Sequence, residues 1–281
     1  MYHLSAPQVD RYQQDGYLSP LDLLSQEELT RYAQQYYECR DLARQKNPDH
    51  QGERYFRTNA HLVLPFINEV MRHPKLLDMV ESIPGPNLLV WSAEFFVKPA
   101  NSQKIVSWHQ DLTYWGLGEV DDELTAWVAF SEVNQASGCM RFVPGSHKQR
   151  IQPHRDTFSD DNMLSRGQEI VVEVNEKDTR LIELSPGQVS FHHGRMFHAS
   201  GPNSTNAPRI GLAIRYITPS VRQQVAKRDY AMVVRGLDES GNWIAVAPPS
   251  TNFQPAYMDL HKRVRLDQLE ALAQGADQTV V

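Results

Sequence analysis

From residue 86 onward the chain alternates short β-prone runs with turn signals. No other feature limits the available folds as much. Residues 88–98, 105–111, 124–133, 139–143, 169–174, 180–184, 189–193, 197–200 and 209–217 are rich in aromatic and β-branched side chains. Ser137-Gly138, Pro144-Gly145-Ser146, Pro186-Gly187 and Gly201-Pro202-Asn203 stand between them as breakers,. A series of short strands without intervening helices predicts a sandwich or barrel, with the site of a small-molecule protein at its mouth.

The part before residue 86 reads as helical. Ser25 and Glu28 form a capping box, and Leu29, Tyr32, Ala33 and Tyr36 follow at helical spacing,. Two more short helices are predicted over 64–72 and 75–83, stopped by Pro84-Gly85-Pro86, and the polar stretch 44–57 reads as a loop of the length lids have,. A last amphipathic helix is expected over 257–272, packed on the outside. With no repeats and no low-complexity linker, one domain is expected over 1–281: a helical part over 1–85, a β core over 86–220 and a C-terminal extension over 221–281.

Composition narrows the partners. A formal net charge of -6 disfavours nucleic acid, whose phosphates call for a basic face,. No apolar run approaches the roughly 20 residues of a membrane helix. The N-terminus shows neither the basic nor the apolar region of a secretory signal,. Two cysteines a hundred residues apart, Cys39 and Cys139, make no disulfide framework,. A cytoplasmic setting and a small-molecule substrate are expected, with no membrane partner.

Within the β region, His109 and Asp111 are separated by one residue. On a strand, positions i and i+2 share a face, so an imidazole and a carboxylate would project together. Two histidines and one carboxylate on one octahedral face are what non-haem ferrous oxygenases use. Of the eleven histidines, His3, His50, His61, His73, His154 and His261 sit in helical or loop contexts, and His147 closes the turn PGSHK. His192 and His193 are neighbours that must point to opposite faces of a strand, so both cannot be ligands,. His198 stands out by the residues downstream of it: Ser200 two positions on, and Arg209 eleven positions on. 2-Oxoglutarate chelates iron through its 1-carboxylate and 2-keto oxygen, which leaves its far carboxylate in need of a cation. An arginine fork grips a carboxylate in bidentate fashion, and a hydroxyl shares the load.

H-Q-D at His109 to Asp111, H-A-S at His198 to Ser200 and Arg209 together resemble the phytanoyl-CoA dioxygenase-like family of Fe(II)/2-oxoglutarate oxygenases. TAWVAFSEVNQASGCMRFVPGSHK from Thr125 is similar to the family's stretch between the ligands. The resemblance covers about residues 10–217, weakly before 86. It implies a mainly β fold with flanking helices around a double-stranded β-helix (jelly-roll, cupin-like) core. It also implies Fe(II) as metal, with 2-oxoglutarate and O2 as cosubstrates. His109, Asp111 and His198 are implied as metal ligands, Arg209 and Ser200 as the cosubstrate's partners and Trp127 as its neighbour. A carboxylate at Asp111 implies hydroxylation, since halogenating relatives carry a small residue there.

For the substrate, Trp108, Tyr114, Arg141 and Arg215 are the candidates, with Trp115 as a further aromatic wall: cations near the mouth, and rings to line the pocket or to cup an ammonium,. They point to a small anionic or zwitterionic metabolite, such as an amino acid-like acid, an aminophosphonate or a natural-product intermediate. Two other classes use the same barrel: a cupin-like isomerase or dioxygenase without 2-oxoglutarate, and a metal-free binding module. The first gives Arg209 and Ser200 no purpose, and the second makes three ligand-type residues a coincidence.

Overall fold

The computed structural model describes residues 2–46, 51–157, 159, 161–164 and 167–273. Its strands are β1 (Tyr17–Asp22), β2 (Leu88–Lys98), β3 (Val106–His109), β4 (Glu123–Ala129), β5 (Met140–Phe142), β6 (His154–Asp156), β7 (Gln168–Ile170), β8 (Arg180–Ile182), β9 (Gln188–His192), β10 (His198–Ser200), β11 (Arg209–Ile217), β12 (Tyr230–Arg235) and β13 (Ile244–Ala245). A seven-stranded sheet in the order β1-β9-β4-β11-β2-β12-β13 faces a four-stranded sheet in the order β3-β10-β5-β8. This is the double-stranded β-helix, with its two sheets not closed into a barrel.

The helices are α1 (Ala6–Asp15), α2 (Gln26–Lys46), α3 (Arg54–Arg57), α4 (Pro65–Met71), α5 (Pro74–Glu81), α6 (Leu112–Trp115) and α7 (Pro255–Leu272). Tyr36, Phe66, Ile67 and Leu76 share one buried apolar cluster with Val90, Phe95, Leu212 and Ile214 of the large sheet. The helices therefore cover the outer face of that sheet, leaving its inner face to the site. None among the described residues is long and apolar enough to cross a membrane.

Three expectations need correction. The part before residue 86 is not wholly helical: Gly16, at φ +81°, ends α1, and β1 then pairs with β9 along the sheet edge. The stretch 44–57 is not a free loop. Glu53 pairs with Arg40 and Arg44, Phe56 is buried against Tyr36, and Arg54–Arg57 is helical; residues 47–50, with His50, lie outside the described residues, as do 274–281. Nor is the β core confined to 86–220, because β12 adds to β2 from the C-terminal extension.

Candidate metal centre

His109 closes β3 and His198 opens β10, and the two are direct cross-strand partners. That register explains how histidines 89 positions apart come to lie with ring centroids 4.0 Å apart. Asp111 does not share the strand, as its spacing to His109 suggested. Its φ of -59° and ψ of -44° are helical, and it heads α6. The strand stops because Gln110 donates to the carbonyl of Arg195, and Leu112 N–H to that of Gly194. The chain then folds back, so that Oδ1 of Asp111 stands 3.3 Å from His109 Nε2 and 3.9 Å from His198 Nε2. One ligand atom from each of the three residues falls within 4.8 Å of the others.

Carbonyl oxygens fix both rings. His109 Nδ1 donates to Ser107 O at 2.8 Å and His198 Nδ1 to Met196 O at 3.0 Å. Each Nε2 therefore presents a lone pair toward Asp111, the tautomer a metal ligand needs. Burial pushes the Asp111 carboxyl up, but the His109, His192 and His198 imidazoles grouped around it and the Arg215 guanidinium hold it well below its ordinary range. Burial, with His109 beside it, keeps His198 neutral. An ionised carboxylate beside a neutral imidazole is the protonation state that a divalent cation requires.

His192 and His193 diverge, as neighbours on a strand must. His193 turns to Glu123 and Asp121, at 3.4 and 3.3 Å. His192 lines the cavity with Nε2 3.8 Å from Asp111 Oδ2, outside the three-ligand group.

The cavity lies between the two sheets, and Ser200, Trp127 and Arg209 line it with the three ligand residues. Arg209 is buried, lies 5.3 Å from the Trp127 ring and donates through Nη1 to Gly138 O at 3.0 Å. Its Nε has no partner, and no carboxylate pairs with it among the described residues. Burial lowers it to about 10, so it stays charged at neutral pH. Between Arg209 and Ala213, Gly211 is required because a Cβ would run into the Trp127 indole.

Sequence reasoning missed Lys98, the cross-strand partner of Arg209. Fully buried, its Nζ donates to Ser200 Oγ at 2.7 Å, to Ser200 O at 3.2 Å and to Gly201 O. Burial and the Arg209 charge pull it down to about 6. The signal was alternation along β2: Glu94, Phe96 and Lys98 share one face, obscured by the apolar side chains of the same strand.

Of the substrate candidates, only Arg215 lines the cavity. It lies 4.9 Å from the Trp115 ring and is paired with Glu94, a second residue the sequence reading missed. Arg141 is paired with Glu176 instead of standing free at the mouth. Tyr114 is buried edge-on against His154, at 5.4 Å. Trp108 is half-buried and does not line the cavity.

A profile described as phytanoyl-CoA dioxygenase (PhyH) matches residues 12–211. A probable phytanoyl-CoA dioxygenase of Caenorhabditis elegans is 26% identical over 235 residues, 76% of this chain and 75% of its own. A probable alpha-ketoglutarate-dependent hypophosphite dioxygenase of Stutzerimonas stutzeri is 30% identical over 56% of this chain and 55% of its own. Among solved structures, the apo form of the non-heme monooxygenase ThoJ superposes with a TM-score of 0.83 at 33% identity, covering 95% of this chain and 98% of that one.

Proposed function

The chain belongs to the phytanoyl-CoA dioxygenase family, and we propose that His109, Asp111 and His198 hold its ferrous ion while Arg209, Ser200 and Trp127 receive 2-oxoglutarate. It is an Fe(II)- and 2-oxoglutarate-dependent dioxygenase. When bound, the metal with 2-oxoglutarate and O2 supplies the oxidising power for hydroxylating a C–H bond, with succinate and CO2 as coproducts. The rest is the work of this chain's residues.

Asp111 would hold the metal together with His109 and His198 and would offset part of its charge,. Arg209 grips the far carboxylate of 2-oxoglutarate in its buried fork. With the cosubstrate's carboxylate seated nearby, Lys98 in its protonated form is a pure donor that occupies an acceptor site of Ser200 Oγ, which turns the serine's own proton outward as a second donor to that carboxylate. Trp127 walls the cosubstrate from water.

For the substrate, the Glu94–Arg215 pair under Trp115 offers one charge of each sign rather than a free cation. That pairing favours a small zwitterionic metabolite, amino acid-like or aminophosphonate, over a simple anion.

One observation carries this reading: three ligand atoms within 4.8 Å open on a cavity whose buried arginine has no anion among the described residues. A cupin-like isomerase would leave that arginine without purpose. Purified protein supplied with Fe(II), 2-oxoglutarate and a panel of zwitterionic metabolites should release succinate, faster with the true substrate. No succinate under any of these conditions would overturn the assignment.

A further inference from the structure

The profile match ends at residue 211, yet the segment beyond it grips the turn that carries Asp111. Three consecutive carbonyls at the end of that turn each accept a hydrogen bond from two neighbouring glutamines. Trp115 O accepts from Gln223 Nε2 at 3.0 Å, Gly116 O from Gln224 N–H at 2.8 Å and Leu117 O from Gln224 Nε2 at 2.9 Å. Gly116 sits at φ +71°, and a Cβ there would run into Gln223.

Gln223 is itself held. Its amide also donates to Asp229 Oδ2 at 2.8 Å, and its Oε1 accepts from Val225 N–H at 3.0 Å. Asp229 is buried and uses both oxygens. Oδ2 accepts from Gln223 and from Trp91 Nε1 at 2.8 Å, while Oδ1 accepts from Tyr230 N–H at 2.8 Å and Gln268 Nε2 at 3.0 Å. The Trp91 ring in turn lies 5.2 Å from that of Trp115.

An isolated turn of helix cannot hold itself, because nucleation fixes several dihedrals for each hydrogen bond gained. The α6 turn is tied at its start by Leu112 N–H to Gly194 O, and at its end by the glutamine clasp. With either tie loosened, the Asp111 carboxylate that heads the turn samples positions away from His109 and His198.

We propose that Asp229 and Gln223 are positioning residues for the metal centre, and that the C-terminal extension belongs to the same catalytic unit as a clasp on the Asp111 turn. This rests on Asp111 being a metal ligand. Residues supporting a ligand from outside the coordination shell change metal affinity by about 10- to 100-fold, and the lower end suits a clasp acting through a turn.

The test is titration of the full chain with Mn(II), following the free ion by its EPR signal. Wild type should bind one ion, and Asp229→Asn and Gln223→Met should bind it about tenfold more weakly or worse. Asn at 229 turns an amide NH2 onto two donors; should that variant fail to fold, Gln223→Met decides. Tyr216→Phe, which loses a buried hydrogen bond to Met71 O at 2.8 Å on the helix side of the sheet, is the control for general destabilisation. It should lower the melting temperature and leave Mn(II) affinity unchanged. A folded Gln223→Met variant binding as tightly as wild type would overturn the clasp alone. Equal weakening by Tyr216→Phe would also overturn it, by showing that affinity merely tracks stability. A wild type that takes no Mn(II) would overturn the ligand assignment, and the clasp with it.

Discussion

Asp111 Oδ1 lies 3.3 Å from His109 Nε2 although the strand bearing the histidine has already ended. A carboxylate at the head of a helical turn can swing toward a partner in a way that a strand position fixed by pleat cannot. The pairing survives because the backbone on both sides is tied down.

Replacing His198 with alanine should abolish metal binding, measured by calorimetry on the apo protein. Replacing His192 should leave one site of near wild-type affinity, because its Nε2 stands 3.8 Å from Asp111 Oδ2 and outside the three-ligand group. The reverse result would exchange their roles.

Arg209→Ala should raise the 2-oxoglutarate concentration needed for half-maximal turnover far more than the Fe(II) concentration. Removing one partner of a buried charge pair costs about 3–5 kcal/mol, which is roughly a hundredfold or more. Lys98→Met should move the same parameter, since it releases Ser200 Oγ. Unchanged dependence in both variants would contradict the cradle assigned to them.

Arg215 is buried and its partner Glu94 half-buried, so Arg215→Met would leave a largely desolvated carboxylate without its cation. Losing one member of such a pair costs about 3–5 kcal/mol, whereas replacing both with apolar groups is often neutral. Urea unfolding should therefore show Arg215→Met less stable than the double variant Arg215→Met/Glu94→Leu. Additive losses would show that the two charges do not depend on each other.

Stability should fall on acidification for a reason unconnected with the metal. Burial, reinforced by His261, pushes His61 down to about 3, and burial pushes His261 down to about 4, both from 6.5. Below pH 6.5 the unfolded chain takes up these protons and the folded one does not, so stability present above 6.5 is lost as pH falls toward 3. Melting temperatures of the apo protein should drop across that window, less steeply in His61→Phe. A flat profile would mean that these rings are protonated in the fold.

The strands and the site were legible to different degrees. Residues 88–98 and 209–217 read directly as strands because they are long and rich in aromatic and β-branched side chains, and both appear with those limits. β1 was hidden in a helical neighbourhood, since six residues containing Ser19 and Pro20 show no clear alternation. At the site, the spacing of His109, Asp111, His198, Ser200 and Arg209 was visible because each is a chemically distinctive residue. Lys98, Glu94, Gln223 and Asp229 were not, because their roles come from cross-strand register and from contacts more than 100 positions apart. Arg141 misled for the complementary reason: a cation near the mouth is indistinguishable in sequence from one whose acid, Glu176, lies 35 positions away.

The most direct measurement is anaerobic calorimetry of 2-oxoglutarate binding to the protein with and without one equivalent of Fe(II), in wild type and in Asp111→Ala. Wild type should bind one 2-oxoglutarate tightly with Fe(II) and far more weakly without it, because chelation and the Arg209 fork act on opposite ends of the same molecule. Asp111→Ala, losing the metal, should bind weakly in both cases. Binding of equal strength with and without Fe(II), or none at all, would contradict a metal centre built from His109, Asp111 and His198.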